Sequence, residues 1–378
     1  MKLSPTFLLL HASSAMAYMH GGAMVARHVK MHARTPLAVR MSSTPASDSL
    51  FKDWKATTTF FFPGQGAQYV GMAGKLVAEV PKAKELFQQA NDILGYDLLK
   101  LCVEGPKDRL DSTVISQPAI YVASLAAVEK LRMQSGQAAV DKATVAAGLS
   151  LGEYTALSFA GAMSFEDGLR LVKARGEAMQ AASEAAQSGM VSVIGLDSDV
   201  VERLCARTRE VTGEQIQVAN FLCPGNYAVS GSKKACAHLA SIAKPEFKAR
   251  MTVPLAVAGA FHTEFMSPAV DRLKEALSRV EIKAPRIPVV SNVDAEAHSD
   301  PAVIKSILTR QVTSPVLWEK TIGTMMARGY KEGYELGPGK VTAGLRARAP
   351  RCESRSPDLT TIHLIAGILG LLAARRAM

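Results

Sequence analysis

The stretch that most constrains this chain is 143–162, ATVAAGLSLGEYTALSFAGA. An apolar run rich in small and β-branched residues (143–150) leads into Gly148-Leu149-Ser150-Leu151-Gly152. Helical spacing follows directly. The sequence therefore predicts a buried strand, a sharp bend at Ser150 and a helix. A G-x-S-x-G at such a junction is the context of a nucleophile elbow, in which a tight turn lifts the serine hydroxyl to the N-terminus of the following helix. A strand buried on both faces and followed at once by a helix also points to an α/β fold with a parallel sheet.

The surrounding pattern agrees. TTTFFF (57–62) reads as another buried strand that stops at Pro63, and PGQGAQ after it as a glycine-bracketed turn. Helical spacing resumes over 71–90. Further on, 287–293 reads as a strand, 301–310 as a helix and GYELGPGK (333–340) as a strand and turn, placed to close a pocket wall. Residues 189–256 differ: strand, helix, strand pair, helix and strand give β-α-β-β-α-β, the ferredoxin-like split unit. The expected architecture is an α/β-hydrolase-like subdomain of 57–188 and 257–344 carrying a ferredoxin-like insert of 189–256.

Both ends stand apart. Lys2 and an apolar stretch ending in Ala15-Met16-Ala17 make 1–17 signal-peptide-like, and 18–50, basic and hydroxyl-rich, reads as a transit peptide. Together they suggest a two-part plastid address, with a mitochondrion as the alternative. At the other end, 345–378 is a divergent basic and apolar tail. Its run TTIHLIAGILGLLAA is short for a bilayer span and reads as a buried or interfacial helix. The net charge of +10 invites a nucleic-acid reading. However, the two ends carry the excess: 48–344 holds 33 basic and 32 acidic residues. Charge thus gives no reason to expect a nucleic-acid or membrane partner for the core. Five cysteines without C-x-x-C spacing predict reduced thiols and no metal site.

A serine nucleophile needs a base. His11, His20, His28 and His32 lie in the leader, and His363 in the tail. His238 falls within a helix with a structural role as its default, and His298 in a polar loop. His262 follows LAVAGAF where a strand gives way to a turn, so elimination selects it. No acid stands out to orient it, and a backbone carbonyl can do that work. In the helix SFEDGLRLVKARGEAMQAA, Arg175 falls inside the apolar arc of Leu169, Leu171, Val172, Gly176 and Met179. There it must either snorkel or find an anion, and its planar fork would suit a carboxylate. The loop FFPGQGAQ lacks the ending of a phosphate-binding loop, and a better use is a backbone N–H that completes an oxyanion pair with Leu151.

Taken together, FFPGQGAQ, GLSLGEYTALSFAGA, LVKARGEAMQ, VAGAFHTEFM, SNVDA, RQVTSPVLW and YELGPGK resemble, in order and spacing, the malonyl-CoA:acyl-carrier-protein transacylases. They are most similar to plastid and cyanobacterial forms, and the resemblance covers about 58–344. It implies Ser150 as the acylated nucleophile, His262 as its base and Arg175 as the receptor of the malonyl carboxylate. It further implies Gln65 and Leu151 as oxyanion N–H donors, and Gln311 as the carbonyl that orients His262. Met179, Asn220 and Phe261 would line the pocket, with the Phe261 ring crowding an α-methyl branch. Malonyl-CoA and acyl carrier protein would be the substrates of a monomeric enzyme with no bound cofactor, feeding fatty-acid synthesis. A polyketide-type loading enzyme, a serine hydrolase of thioesters and a catalytically silent carrier-binding module are the alternatives. Two departures stand out. Leu149 occupies a position that is histidine in many bacterial members, and the resemblance stops near Gly344.

Overall fold

The computed structural model describes residues 49–339 and the backbone of 361–364. All of these belong to the second of the chain's two units, Pro45–Met378. The leader and the rest of the tail lie outside the described residues. Nine strands are described: β1 (Thr58–Phe62), β2 (Val145–Gly148), β3 (Ser188–Ile194), β4 (Ile216–Cys223), β5 (Asn226–Ser232), β6 (Met251–Pro254), β7 (Val289–Val290), β8 (Glu332–Glu335) and β9 (Thr361–Leu364).

β1 shows why the larger sheet forms. All five of its residues are buried, because it is the central strand of the sheet and helices cover both faces. Phe60 and Phe62 point into the main core with Phe87, Tyr121 and Leu151. Phe61 points the other way, onto Trp318 at 5.9 Å between ring centroids. The sheet order is β7-β2-β1-β8-β9, and every pairing is parallel. The expected α/β class with a parallel sheet is observed.

β3 to β6 form a separate antiparallel sheet in the order β4-β5-β3-β6. The helices Ser198–Thr212 and Lys233–Ala243 cover one face, with Val201, Leu204, Leu239 and Ile242 in a core of their own. Element order and strand order are those of a ferredoxin-like unit. β4 also touches the larger body: a bridge joins Asn220 to Val316, and Phe221 N–H donates to the Val316 carbonyl.

Several expectations change in detail. The helical stretch 71–90 is two helices, Gly74–Glu79 and Pro81–Leu94, because Val80 is extended and Pro81 starts the second. The strand expected over 287–293 shrinks to Val289–Val290, whose ladder with β2 is two residues long. In the tail run read as a helix, Thr361–Leu364 is instead a strand that takes the free edge of β8.

Candidate active site

Ser150 stands between β2 and the helix Leu151–Phe159, with φ 52° and ψ −102°. This is a strained conformation for a residue with a Cβ. The flanking glycines make the bend possible by close approach. A Cβ on Gly148 would lie 1.9 Å from the Gly152 carbonyl carbon, and one on Gly152 would lie 2.2 Å from the Phe62 oxygen. Asn292 holds the turn: its Oδ1 accepts the Ser150 N–H at 2.6 Å and its Nδ2 donates to the Gly148 carbonyl at 2.8 Å.

His262, also at positive φ (61°), brings Nε2 to 2.9 Å from Ser150 Oγ. Its Nδ1 lies 2.8 Å from the Gln311 carbonyl oxygen. A carbonyl can only accept, so the imidazole proton sits on Nδ1 and the Nε2 lone pair faces the serine. Burial, reinforced by the Arg175 charge, pushes the His262 pKa down to about 4. The ring is therefore neutral at physiological pH, with the Nε2 lone pair free to accept a proton.

Arg175 lies on the helix Phe165–Glu184, whose first turn is capped by Ser164 Oγ accepting from Asp167 N–H at 3.0 Å. Snorkelling is excluded, because the side chain is 1% exposed. Its Nη1 donates to Gln117 Oε1 at 2.8 Å. Its Nη2 reaches Ser150 Oγ at 3.1 Å and Gln311 Oε1 at 3.0 Å. Tyr154 presents its ring face 5.2 Å from the guanidinium carbon.

These groups border a cavity of about 350 Å³ between the two sheets. Gln65, Ser150, Arg175, Met179, Phe261 and His262 line it from the parallel-sheet side, and Asn220 from the antiparallel sheet. Asn220 Oδ1 is buried without a hydrogen-bond partner. The loop bearing Gln65 presses against the elbow, since a Cβ on Gly64 would lie 2.3 Å from the Leu149 oxygen. Leu151 is the first residue of its helix, so its N–H has no intrahelical acceptor. It sits beneath the cavity rather than lining it, as does Gln311, which is wholly buried. The turn Leu336–Gly339 does not line the cavity as expected. It packs behind the entry loop, where a Cβ on Gly337 would lie 2.7 Å from the Pro63 ring.

Three residues escaped the sequence reading. Gln117 holds Arg175, Asn292 holds Ser150, and Glu153 holds both Asn292 and Gln311. The available signal for Glu153 was an acid in a helix otherwise free of charge, LGEYTALSF. Among the described residues, His238 and His298 stay apart from the site, with His298 paired to Asp294 at 2.9 Å. Among the described residues no group of three or more His, Cys, Asp or Glu could hold a metal ion. No described helix is long and apolar enough to cross a membrane.

The arrangement can activate a hydroxyl for attack on a carbonyl while a fixed cation waits beside it. Residues 59–348 match the acyl transferase domain family. The human mitochondrial malonyl-CoA-acyl carrier protein transacylase is 43% identical over 293 residues, which cover 75% of this chain and 74% of that protein. The structure of the malonyl CoA-acyl carrier protein transacylase from Coxiella burnetii is similar with a TM-score of 0.77 at 34% identity, over 85% of this chain and 98% of that one. A malonyl-transacylase solved in complex with a type II PKS acyl-carrier protein gives 0.74 at 34% identity, over 82% and 94%.

Proposed function

The chain belongs to the acyl transferase domain family, and from that premise we propose that it moves malonyl from malonyl-CoA to the phosphopantetheine thiol of an acyl carrier protein through a malonyl-serine. One observation carries the reading. Ser150 Oγ lies between a neutral imidazole at 2.9 Å and a buried guanidinium at 3.1 Å. The first makes a nucleophile, and the second selects an acyl group that ends in a carboxylate.

In the first half-reaction Ser150 Oγ attacks the thioester carbonyl and His262 Nε2 takes its proton. The Nδ1–H keeps donating to the Gln311 carbonyl and so fixes the ring. Backbone N–H groups of Gln65 and Leu151 would receive the oxyanion. As the intermediate collapses, the C–S bond breaks and the imidazolium returns its proton to the departing thiolate. In the second half-reaction the same Nε2 deprotonates the carrier thiol, sulfur attacks the acyl-serine, and the proton goes back to Ser150. Throughout, Arg175 exchanges its neutral acceptors for the substrate carboxylate, and it would hold that group while the chain end changes partners. The scheme calls on no bound cofactor.

The test is incubation with malonyl-CoA, followed by intact-mass measurement and peptide mapping. A malonyl adduct on Ser150, absent in Ser150→Ala and discharged by holo carrier protein, supports the reading. Release of free malonate at the same rate with and without carrier would identify a thioester hydrolase instead. Carrier proteins from fatty-acid and polyketide systems, offered in competition, decide the pathway. For the leader we favour an organellar address. The sequence pattern suggests a plastid, while the mitochondrial human relative supports the mitochondrion. A fluorescent fusion of residues 1–50, imaged with markers of both organelles, separates them.

A further inference from the structure

Arg175 poses a problem of charge. All three of its hydrogen-bond acceptors, Gln117, Gln311 and Ser150, are neutral, and its buried Nε has no partner. A dry cation so held is expensive unless a negative charge stands near. Glu153 supplies one. It lies one turn into the helix after Ser150 and is 3% exposed. None of the Arg175 hydrogen bonds reaches it. Glu153 Oε2 accepts instead from Gln311 Nε2 at 2.6 Å and from the Asn292 N–H at 3.0 Å. The Gln311 amide thus stands between the two charges, its oxygen toward the guanidinium and its nitrogen toward the carboxylate.

We propose that Glu153 is a positioning residue that determines specificity: a counter-charge held one amide away from Arg175, near enough to stabilise the empty guanidinium and too remote to occupy its fork. A carboxylate-bearing acyl group then meets a cation that is available but already partly balanced. Its grip is firm enough for selection and weak enough for release. The inference rests on the reading of Arg175 as the carboxylate receptor. Linkage makes it testable, because whatever stabilises the empty site must weaken the site's preference for an anion.

Burial pushes the Glu153 carboxyl up to about 7, against the two N–H donors and Arg175, which favour the charged form; Asp294 adds to the rise. Tyr154 is the other ionisable group that feels its charge. The comparison therefore belongs at pH 8, where the carboxylate form prevails. Two readouts on Glu153→Gln are needed. In thermal melts with free malonate as probe, the variant is expected to gain a larger upward shift than the wild type. In acylation, its preference for malonyl-CoA over acetyl-CoA is expected to rise by roughly 10-fold, chiefly through a lower KM for malonyl-CoA. Glu153→Asp keeps the charge and is expected to keep the wild-type preference, whatever it loses in rate. An equal loss toward both donors with an unchanged malonate shift would leave Glu153 a purely structural role and overturn the proposal. Should Glu153→Gln fail to fold, Gln311→Met removes the intervening amide and keeps the carbonyl on His262. With no amide between them the Glu153 charge can reach Arg175 directly, so malonyl preference should fall, and an unchanged or higher one overturns the proposal equally. A wild type that acquires no malonyl adduct would defeat the transacylase reading, whereas the malonate melts test Glu153 separately.

Discussion

Ser150 Oγ and His262 Nε2 lie 2.9 Å apart across 112 residues of sequence, and both residues hold positive φ, 52° and 61°. Two non-glycine residues in a sparsely populated region meet at a single hydrogen bond. Such strain persists only where the surroundings over-determine it. Here Asn292 grips the serine backbone and the Gln311 carbonyl grips the imidazole.

The neutral imidazole sets the pH response. With its pKa pushed down to about 4, His262 stays deprotonated through pH 6.5, where an ordinary histidine titrates. The acylation rate attributed to this base is expected to hold level across pH 6.5 and to fall only as pH approaches 4. Between pH 6.5 and about 4 the unfolded chain binds a proton at this position and the folded chain does not. The contribution of His262 to stability therefore declines as pH drops through that window. Rapid-quench acylation and urea melts across pH 4–8 check both statements. Replacing the residue, His262→Ala, is expected to slow acylation by ~10²–10⁴-fold.

Arg175→Ala is expected to retain some acylation while losing discrimination. Removing a charge-assisted pair of hydrogen bonds to a carboxylate is worth about 2–3 kcal/mol, a fall of roughly 30- to 150-fold in malonyl over acetyl preference. Competition between the two donors, read by mass spectrometry of the acyl-enzyme, measures it. Persistence of the wild-type preference would rule out the carboxylate role.

Gly148→Ala places a methyl group inside the backbone of the next turn, 1.9 Å from the Gly152 carbonyl carbon. No side-chain movement can relieve a clash between two backbones. The substitution is expected to destabilise the protein by about 2–4 kcal/mol and to remove acylation with it. Chemical denaturation of the purified variant is the measurement.

Phe261 lines the cavity directly beside the base. Trimming the ring in Phe261→Ala is expected to raise acylation from methylmalonyl-CoA relative to malonyl-CoA by about 10-fold, the scale set by a group or two of apolar volume. An unchanged ratio would place the α-carbon elsewhere in the cavity.

What sequence alone determined follows from local periodicity. Five apolar or small residues, a bracketed serine and a helical repeat encode the bend at Ser150, because the glycines that permit it are adjacent in the chain. The arc of Leu169, Val172 and Met179 likewise placed Arg175 on a buried face before any partner was visible. Elimination found His262 because few histidines lie outside the leader and tail. Tertiary structure alone decided what surrounds these three. The orienting group of His262 is a main-chain carbonyl, which every residue carries and no side chain reveals; the resemblance could name Gln311, but composition and spacing could not. Glu153, Asn292 and Gln117 act through contacts to residues 58 to 158 positions away, and those contacts exist only once the parallel sheet has stacked its loops at one end. Local pattern specifies each element's shape and its buried face. Which polar atoms meet between elements is set by packing, and here packing decides how the charge of Arg175 is balanced.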